Sequence, residues 1–136
     1  KGKLSGDVDG EIAISIYKRI ESLFNNSKLN YHDLLYKYFY HFSNKDIAGL
    51  SDMFSDDVTL TDWDINVVGK EEVLKANLNI FSSVDSINVR VTNIYKNNNT
   101  YAVEINITID ESTTLEVVDV IEFDFGKIKS IKAYKG

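Results

Sequence analysis

The sequence predicts an α+β domain in which about three helices pack against a cone-shaped, curved antiparallel sheet, with an extra N-terminal helix. In the first half of the chain, apolar residues recur at three- and four-residue spacing, which is typical of helices with one buried face. From about residue 86 onward they alternate with polar residues, as in strands, and no Pro interrupts them. Helices first and antiparallel strands last is an α+β order, and a curved sheet under helices encloses a cavity.

The composition suits one globular domain. Of the 136 residues, 43% are hydrophobic and 12% aromatic, which is enough for a sizeable core. The formal net charge of -6, without a compact run of Lys and Arg, argues against nucleic acid or a membrane as partner. The absence of Cys excludes disulfides, thiol catalysis and Cys-based zinc sites.

The start of the chain bears on its location in the cell. No apolar run is long enough to span a bilayer, and the first residues lack the basic-then-apolar pattern of a signal peptide. We therefore expect a soluble, cytoplasmic protein. Because the chain begins with Lys1 rather than Met, it fits either a processed chain or a piece of a longer polypeptide.

The sequence predicts a glycine-containing lead-in followed by the extra helix over residues 1–28. Residues 29–136 are predicted to form the main domain. Asp7 or Asp9 is available to cap the extra helix. Its apolar stripe consists of Ala13, Ile16, Tyr17, Ile20, Leu23 and Phe24. Such a stripe packs on its own core, on a neighbouring domain or on another subunit.

The main domain opens with helical patterns. Asn30 is a suitable cap for a helix from about residue 31 to 42, in which Tyr38 shares the apolar face. A short helix follows from Asp46 to about Phe54, and residues 55–57 are predicted to form a turn. Gly69 precedes a third helix. Its expected buried residues are Val73, Leu74, Leu78 and Phe81.

Strand patterns occupy the rest. A first strand over 58–62 ends at a corner made by Trp63 and Asp64, and a short strand over 65–68 follows. Three asparagines at 97–99 form a hairpin loop, because Asn tolerates positive φ. The long strands cover about 87–94 (with a bulge near Thr92), 101–109, 114–125 and 127–134, the last after a turn at Gly126.

Two carboxylates and a tyrosine are predicted to face the cavity. On the strand over 114–125, Asp119 shares one face with four apolar residues, where an ionised carboxylate is costly unless it is paired or protonated. Asp62 and Tyr38 also point inward, so the three could form an acid/base set. The alternative is structural: Asp119 accepts hydrogen bonds from buried groups, and Asp62 caps the corner before Trp63.

Other catalytic signatures are missing. His32 and His41 are nine residues apart, which is not the spacing that places two metal ligands on one helical face. The chain contains no phosphate-binding glycine loop, hydrolase elbow or dinucleotide fingerprint. We therefore expect neither a metal nor a cofactor.

Several segments resemble the nuclear transport factor 2-like superfamily, in the branch that contains ketosteroid isomerase and SnoaL-like polyketide cyclases. They are residues 38–50, 54–62, 68–71, 117–124 and 126–128. The resemblance extends from about Tyr31 to the end of the chain and implies a cone of three helices on a curved sheet. It thus agrees with the fold that the periodicity predicts.

The resemblance to ketosteroid isomerase also implies roles. It places the general base at Asp62, a hydrogen-bond-donating tyrosine at Tyr38 and a protonated donor at Asp119. Four residues set this chain apart from the isomerase. Phe54 and Asn77 fall near its supporting tyrosines, so the hydrogen-bond network behind the donor tyrosine is expected to be absent. Trp63 falls where the isomerase usually has Pro and Lys135 where a Trp is common, which implies a different cavity.

The expected function is binding of a small, partly apolar molecule, with proton transfer next to a carbonyl by the three polar residues. The expected pocket residues are Trp63, Phe54, Phe42, Val117 and Ile121. Two alternatives stay open: a non-catalytic association or accessory domain of a longer polypeptide, and a SnoaL-like cyclase or hydrolase-type enzyme. The resemblance further implies a homodimer through the exposed sheet face that carries Glu104, Asn106 and Thr108.

Overall fold

The computed structural model describes residues 31–136 together with Ile16 and Arg19. Ile16 and Arg19 are helical, and Ile16 is exposed. The rest of the predicted extra helix, its candidate caps Asp7 and Asp9, and the cap Asn30 lie outside the described residues. The division of the chain at residues 28 and 29 therefore stays a prediction.

Three helices are described between residues 31 and 136: α1 (His32–Ser43), α2 (Ile47–Met53) and α3 (Lys70–Ser82). The inward face of α1 buries Leu35, Tyr38 and Phe39, as its apolar spacing predicts. The side chain of Asp46 caps α2 by accepting the Gly49 N–H at 2.9 Å. None of these helices is long and apolar enough to cross a membrane.

The six described strands form one curved, unclosed sheet in the order β2-β1-β6-β5-β4-β3. They are β1 (Phe54–Thr61), β2 (Asn66–Val68), β3 (Ile87–Asn97), β4 (Thr100–Ile109), β5 (Thr113–Asp124) and β6 (Lys127–Lys135). The helices pack on one face of this sheet, so the α+β architecture predicted from the sequence is confirmed. The pair β1 and β6 is parallel, whereas the other four pairs are antiparallel.

Local backbone features of the long strands match the sequence. The register between β3 and β4 shifts between Val91 and Asn93, which confirms the bulge predicted near Thr92. Asn98 has φ 56° in the loop between β3 and β4, and Gly126 has φ 83° in the turn between β5 and β6. Both residue types accept this left-handed backbone with little strain.

Three expectations about local structure are wrong. Residues 55–57 lie within β1 rather than in a turn, in the stretch between Phe54 and Thr59 where the register with β6 shifts. Phe54 begins β1 instead of ending α2, because it pairs with Ile128 of β6. On α3, Leu78 is 48% exposed, because the buried face runs through Val73, Asn77 and Phe81 at four-residue spacing.

Candidate functional site

A cavity of about 230 Å³ lies between the helices and the concave face of the sheet. Apolar side chains from the four strands β3 to β6 and aromatic side chains from α1 form most of its wall. The corner at residues 62–65, between β1 and β2, forms the rim of the cavity, and its Trp63 is half-exposed. The polar residues that line it are Tyr38, Asp62, Asp64, Asn77 and Asp119.

Asp119 is placed in this cavity by the alternation of β5. It lies opposite Val103 on β4 and Ala133 on β6, and it is 7% exposed. No hydrogen bond among the described residues involves its carboxylate. Burial, and next the negative charge of Asp62, raise the pKa of Asp119 to about 7. At neutral pH this carboxyl group therefore exists in both protonation states, and its neutral form can donate a hydrogen bond.

Asp62 follows the last residue of β1 and organises the corner. Its Oδ1 accepts the backbone N–H of Asp64 at 2.7 Å and that of Ile65 at 2.6 Å. Its own backbone N–H donates to the Ile65 carbonyl at 2.8 Å. The structural role considered from the sequence is thus present. These bonds engage only Oδ1, so Oδ2 can still accept a proton, and Asp62 lines the same cavity as Asp119.

Tyr38 comes to the cavity from α1 and is almost fully buried. Burial, and next the negative charge of Asp119, raise the pKa of Tyr38 well above its ordinary value. Its ring packs edge-on against Phe39, with ring centroids 5.1 Å apart, and lies 6.3 Å from the ring of Phe54. Tyr38 therefore remains a neutral phenol that is held in place by aromatic neighbours and can donate a hydrogen bond.

The structure brings only part of the predicted pocket to the cavity wall. Trp63, Phe42 and Val117 line the cavity, whereas Phe54 and Ile121 lie in the core outside its lining. Ile121 is on the same face of β5 as Asp119, but two residues further along a strand move a side chain about 7 Å. Phe54 lies at the start of β1, at the far end of that strand from Asp62.

Sequence reasoning named neither Asp64 nor Asn77 as a residue of the cavity wall. Asn77 on α3 lines the cavity, is 3% exposed, and its Nδ2 has no hydrogen-bond partner among the described residues. The signal was present in the spacing. Asn77 lies four residues after Val73 and four before Phe81, and both are buried, so the same helical face carries all three.

The rim carries an aromatic side chain with a cation beside it. The Nζ of Lys135 lies 5.2 Å from the centre of the Trp63 ring, within the range of a cation–π contact. Trp63 is 43% exposed, so it shields one side of the cavity from solvent and still reaches the surface. Trp63 and Lys135, two of the residues that depart from the isomerase pattern, therefore contact each other at the cavity rim.

Metal-ligating side chains do not gather at this site. Among residues 31–136 with Ile16 and Arg19, no group of three His, Cys, Asp or Glu side chains is arranged to hold a metal ion. His41 lies 3.1 Å from Asp46 and does not line the cavity. The arrangement at the cavity can therefore exchange protons through Asp62 and Asp119 and donate hydrogen bonds from Tyr38 and neutral Asp119.

Comparisons of structures place this fold among known ones. An NTF2-like protein of unknown function from Cytophaga hutchinsonii ATCC 33406 is 12% identical, with TM-score 0.67 and coverage of 80% of this chain and 92% of that one. A protein with a ketosteroid isomerase-like fold from Catenulispora acidiphila DSM 44928, in complex with trimethylamine, is 14% identical, with TM-score 0.68. The match covers 76% of this chain and 85% of that one. A candidate SnoaL-like polyketide cyclase from Shewanella denitrificans OS-217 is 12% identical, with TM-score 0.69. The match covers 76% of this chain and 88% of that one.

Sequence comparisons give the family. A search among curated proteins finds no match. The family model described as SnoaL-like domain matches residues 35–131, which is most of the chain and includes Tyr38, Asp62, Asn77 and Asp119. The similar structures carry the same nuclear transport factor 2-like fold, so the resemblance found in the sequence is confirmed. The chain belongs to the family of SnoaL-like domains.

Proposed function

We propose that this domain binds a small, partly apolar molecule in its cavity and transfers a proton at a carbon next to a carbonyl group. The observation that carries this proposal is the shared cavity of Asp62, Tyr38 and Asp119. Two carboxylates in different surroundings and a neutral phenol are the groups that such a proton transfer needs. The mostly apolar wall favours a partly apolar ligand.

The two carboxylates are suited to different roles. Asp119 is buried in the sheet, and its raised pKa of about 7 supplies the neutral, hydrogen-bond-donating form. Asp62 lies at the half-exposed corner, where its Oδ1 accepts two backbone N–H groups and its Oδ2 is left to accept a proton. Asp62 is therefore the proposed base, and Asp119 the proposed donor together with Tyr38.

The proposed reaction has no net oxidation or reduction. Asp62 Oδ2 removes a proton from the carbon next to the carbonyl, and the C–H electron pair forms a C=C bond while the carbonyl π pair moves to oxygen. Hydrogen bonds from Tyr38 and neutral Asp119 stabilise the resulting enolate oxygen. Return of the proton from Asp62 to another carbon of the conjugated system gives an isomer and restores the base.

β-Isophorone provides a direct test, because its isomerisation to the conjugated ketone isophorone follows this sequence of steps and is visible by ultraviolet absorbance. We expect the wild-type domain to accelerate the conversion. Asp62→Asn should lower the rate by at least about 100-fold, the usual contribution of a general base. Tyr38→Phe should lower it by about 100-fold, the usual contribution of an oxyanion donor.

A matched control separates the site from general charge effects. Asp85→Asn removes one carboxylate from an exposed turn outside the cavity lining, so its rate should equal that of the wild type. Folding of each variant is checked by circular dichroism. A wild-type rate no greater than that of the Asp62→Asn variant would contradict proton transfer by this site.

One observation favours a second candidate, a binding domain without chemistry. Asp62 Oδ1 organises the corner, which gives Asp62 a structural role that does not require catalysis. In that case the wild-type domain binds isophorone without converting β-isophorone. Titration calorimetry with isophorone distinguishes this candidate from the first, because it measures binding independently of turnover.

A further inference from the structure

Asn77 carries a buried polar group that the proposed reaction does not use. It is 3% exposed, and the N–H donors of its Nδ2 have no partner among the described residues. A buried donor without a hydrogen bond destabilises a fold, and native proteins contain few of them. The position of this one in the wall of the cavity suggests that a bound molecule supplies the missing acceptor.

The helix brings Asn77 to the cavity independently of the other polar residues. Asn77 comes from α3, Tyr38 from α1 and Asp119 from β5. No hydrogen bond joins the Asn77 amide to either of these side chains. Its neighbours on the buried face of α3, Val73 and Phe81, are apolar and provide no acceptor. The amide Nδ2 therefore lacks an acceptor among the described residues, and the amide carries no charge at any pH near neutrality.

The number of hydrogen bonds that a carbonyl oxygen can accept indicates what else a ligand needs in order to bind Asn77. A carbonyl oxygen has two lone pairs, and on the proposed function, on which this inference rests, Tyr38 and neutral Asp119 occupy both. A third donor then needs a second acceptor. The cavity volume of about 230 Å³ is below the range of pockets for drug-sized ligands, which favours a molecule with one or two rings.

We propose that Asn77 determines specificity by donating a hydrogen bond to a second oxygen of the ligand. The ligand class is accordingly a ring compound with one or two rings that carries a carbonyl and, apart from it, a hydroxyl or second carbonyl oxygen. Asn77 orients this molecule so that the carbon to be deprotonated faces Asp62. A ligand that lacks the second oxygen leaves the Asn77 amide without a partner and binds more weakly.

Two ring ketones of the same skeleton test this inference. Ketoisophorone differs from isophorone by a second carbonyl across the ring, and calorimetry gives the dissociation constant of each. We expect the wild-type domain to bind ketoisophorone about tenfold more tightly, which is the contribution of one buried hydrogen bond. In the Asn77→Leu variant this preference, measured as the ratio of the two dissociation constants, should fall from about tenfold to about one.

A structural role for Asn77 predicts different results. Asn77→Ala, which removes the amide without adding bulk, serves where the leucine variant does not fold. Asn79→Leu on the exposed side of α3 is the matched control and should keep the tenfold preference. An equal loss of affinity for both ketones in the Asn77 variants would overturn the inference, as would a preference that the variants retain.

The outcomes for this inference and for the proposed function are distinguishable. Conversion of β-isophorone without any preference for ketoisophorone overturns the role of Asn77 alone. A preference that depends on Asn77, without conversion, supports its role in binding and overturns the proposed proton transfer. Failure of the wild-type domain to bind either ketone overturns both.

Discussion

Asp62 acts on Asp119 in the cavity that both line: burial, and next the charge of Asp62, raise the pKa of Asp119. The Ile65 backbone N–H donates to Asp62 Oδ1 at 2.6 Å, which fixes the carboxylate at the cavity rim. Asp62 thereby has a structural role and an electrostatic one. It shapes the corner, and it also acts electrostatically on a carboxyl group in the middle of β5.

We predict that Asp62→Asn lowers the pKa of Asp119 below its wild-type value of about 7. The substitution removes the charge that disfavours ionisation of Asp119, and burial, the larger cause, keeps the pKa above that of an exposed Asp. The Asn side-chain oxygen can still accept the corner hydrogen bonds, so the cavity is preserved. Titration of the Asp119 carboxyl carbon by NMR measures the shift, and an unchanged pKa in this variant would show that the two carboxylates do not interact.

The same carboxyl group makes stability depend on pH. Because the pKa of Asp119 is raised from 3.8 to about 7 in the folded state, the folded protein binds this proton more tightly than the unfolded chain. The contribution of Asp119 to the free energy of unfolding is therefore undiminished below about pH 4. It falls as the pH rises towards 7 and stays low above about pH 7. Asp119→Asn should remove this decline and be more stable than the wild type at pH 8 by a few kcal/mol.

Urea denaturation at pH 4 and at pH 8 measures the free energy of unfolding of the wild type and of Asp119→Asn. The effect of Asp119 is the difference between the two at each pH. The difference cancels the pH dependence contributed by the other carboxylates. Asp85→Asn, in an exposed turn, is the control and should follow the wild type at both pH values. A wild type and an Asp119→Asn variant with parallel pH profiles would mean that Asp119 ionises normally in the folded protein.

The sequence predicted the placement of the two carboxylates because strand geometry is local. Side chains alternate along a strand whatever its partners are, so the apolar neighbours of Asp119 were enough to place it on the inner face. The parallel pairing of β1 with β6 has no comparable signal. It joins segments far apart in the chain, and only tertiary packing determines it.

The limits of prediction at the cavity have two geometric causes. Alternation indicates which face a residue occupies but not its depth, so Ile121 was correctly placed inward and wrongly placed in the cavity wall. Phe54 was assigned to the apolar face of a short helix, whereas it begins β1 and lies in the core outside the cavity lining. On a helix, one residue corresponds to a rotation of about 100°. Leu78 was expected to be buried because it is apolar. The rotation instead places its neighbour Asn77 on the buried face and leaves Leu78 exposed.

Gly49 is predicted to be required for the contact between α1 and α2. A Cβ at this position would lie 2.5 Å from His41 Nδ1 and 2.7 Å from Asp46 Oδ2. Gly→Ala within a helix normally stabilises by up to about 1 kcal/mol. Here we expect Gly49→Ala to destabilise by about 1–3 kcal/mol in urea denaturation, because it displaces His41 from the cap residue Asp46.

A double-mutant cycle tests the cause of that loss. In the His41→Ala background the nearest atoms to the new methyl group are absent, so Gly49→Ala should cost less there than in the wild type. The exposed neighbour position supplies a control, because Ala48→Ser changes side-chain size without approaching His41. Equal costs in both backgrounds would contradict a steric explanation.

Tyr101 is predicted to anchor the start of α1. Its buried hydroxyl accepts the Tyr31 backbone N–H at 2.9 Å, and the side chain of the N-cap residue Tyr31 makes no capping hydrogen bond. Tyr101→Phe removes that acceptor and should lower the free energy of unfolding by about 1–2 kcal/mol. Tyr95→Phe is the matched control, since Tyr95 is exposed, and should change it by less than about 0.5 kcal/mol. Chemical denaturation compares the two, and similar values for both variants would refute the anchoring role.

The outer face of the sheet is the surface on which we predict dimerisation. Glu104, Asn106 and Thr108 alternate there with the buried residues of β4 and are half-buried. Val118 lies opposite Glu104 on one side and Tyr134 on the other, so this face also carries apolar side chains. Tyr134 is exposed in the single chain. A mixed face of this kind is typical of interfaces between copies of a protein.

Val118→Lys tests this surface while preserving the fold of the monomer. The new ammonium group lies opposite Glu104 on β4, where an ion pair across the strands favours the monomer. Burial of the same charge against a second copy is unfavourable, so the variant should be monomeric under conditions in which the wild type is dimeric. Tyr36→Lys on the exposed side of α1 should leave the dimer intact. Light scattering over a range of concentrations measures both, and a wild type that is monomeric throughout would contradict the prediction.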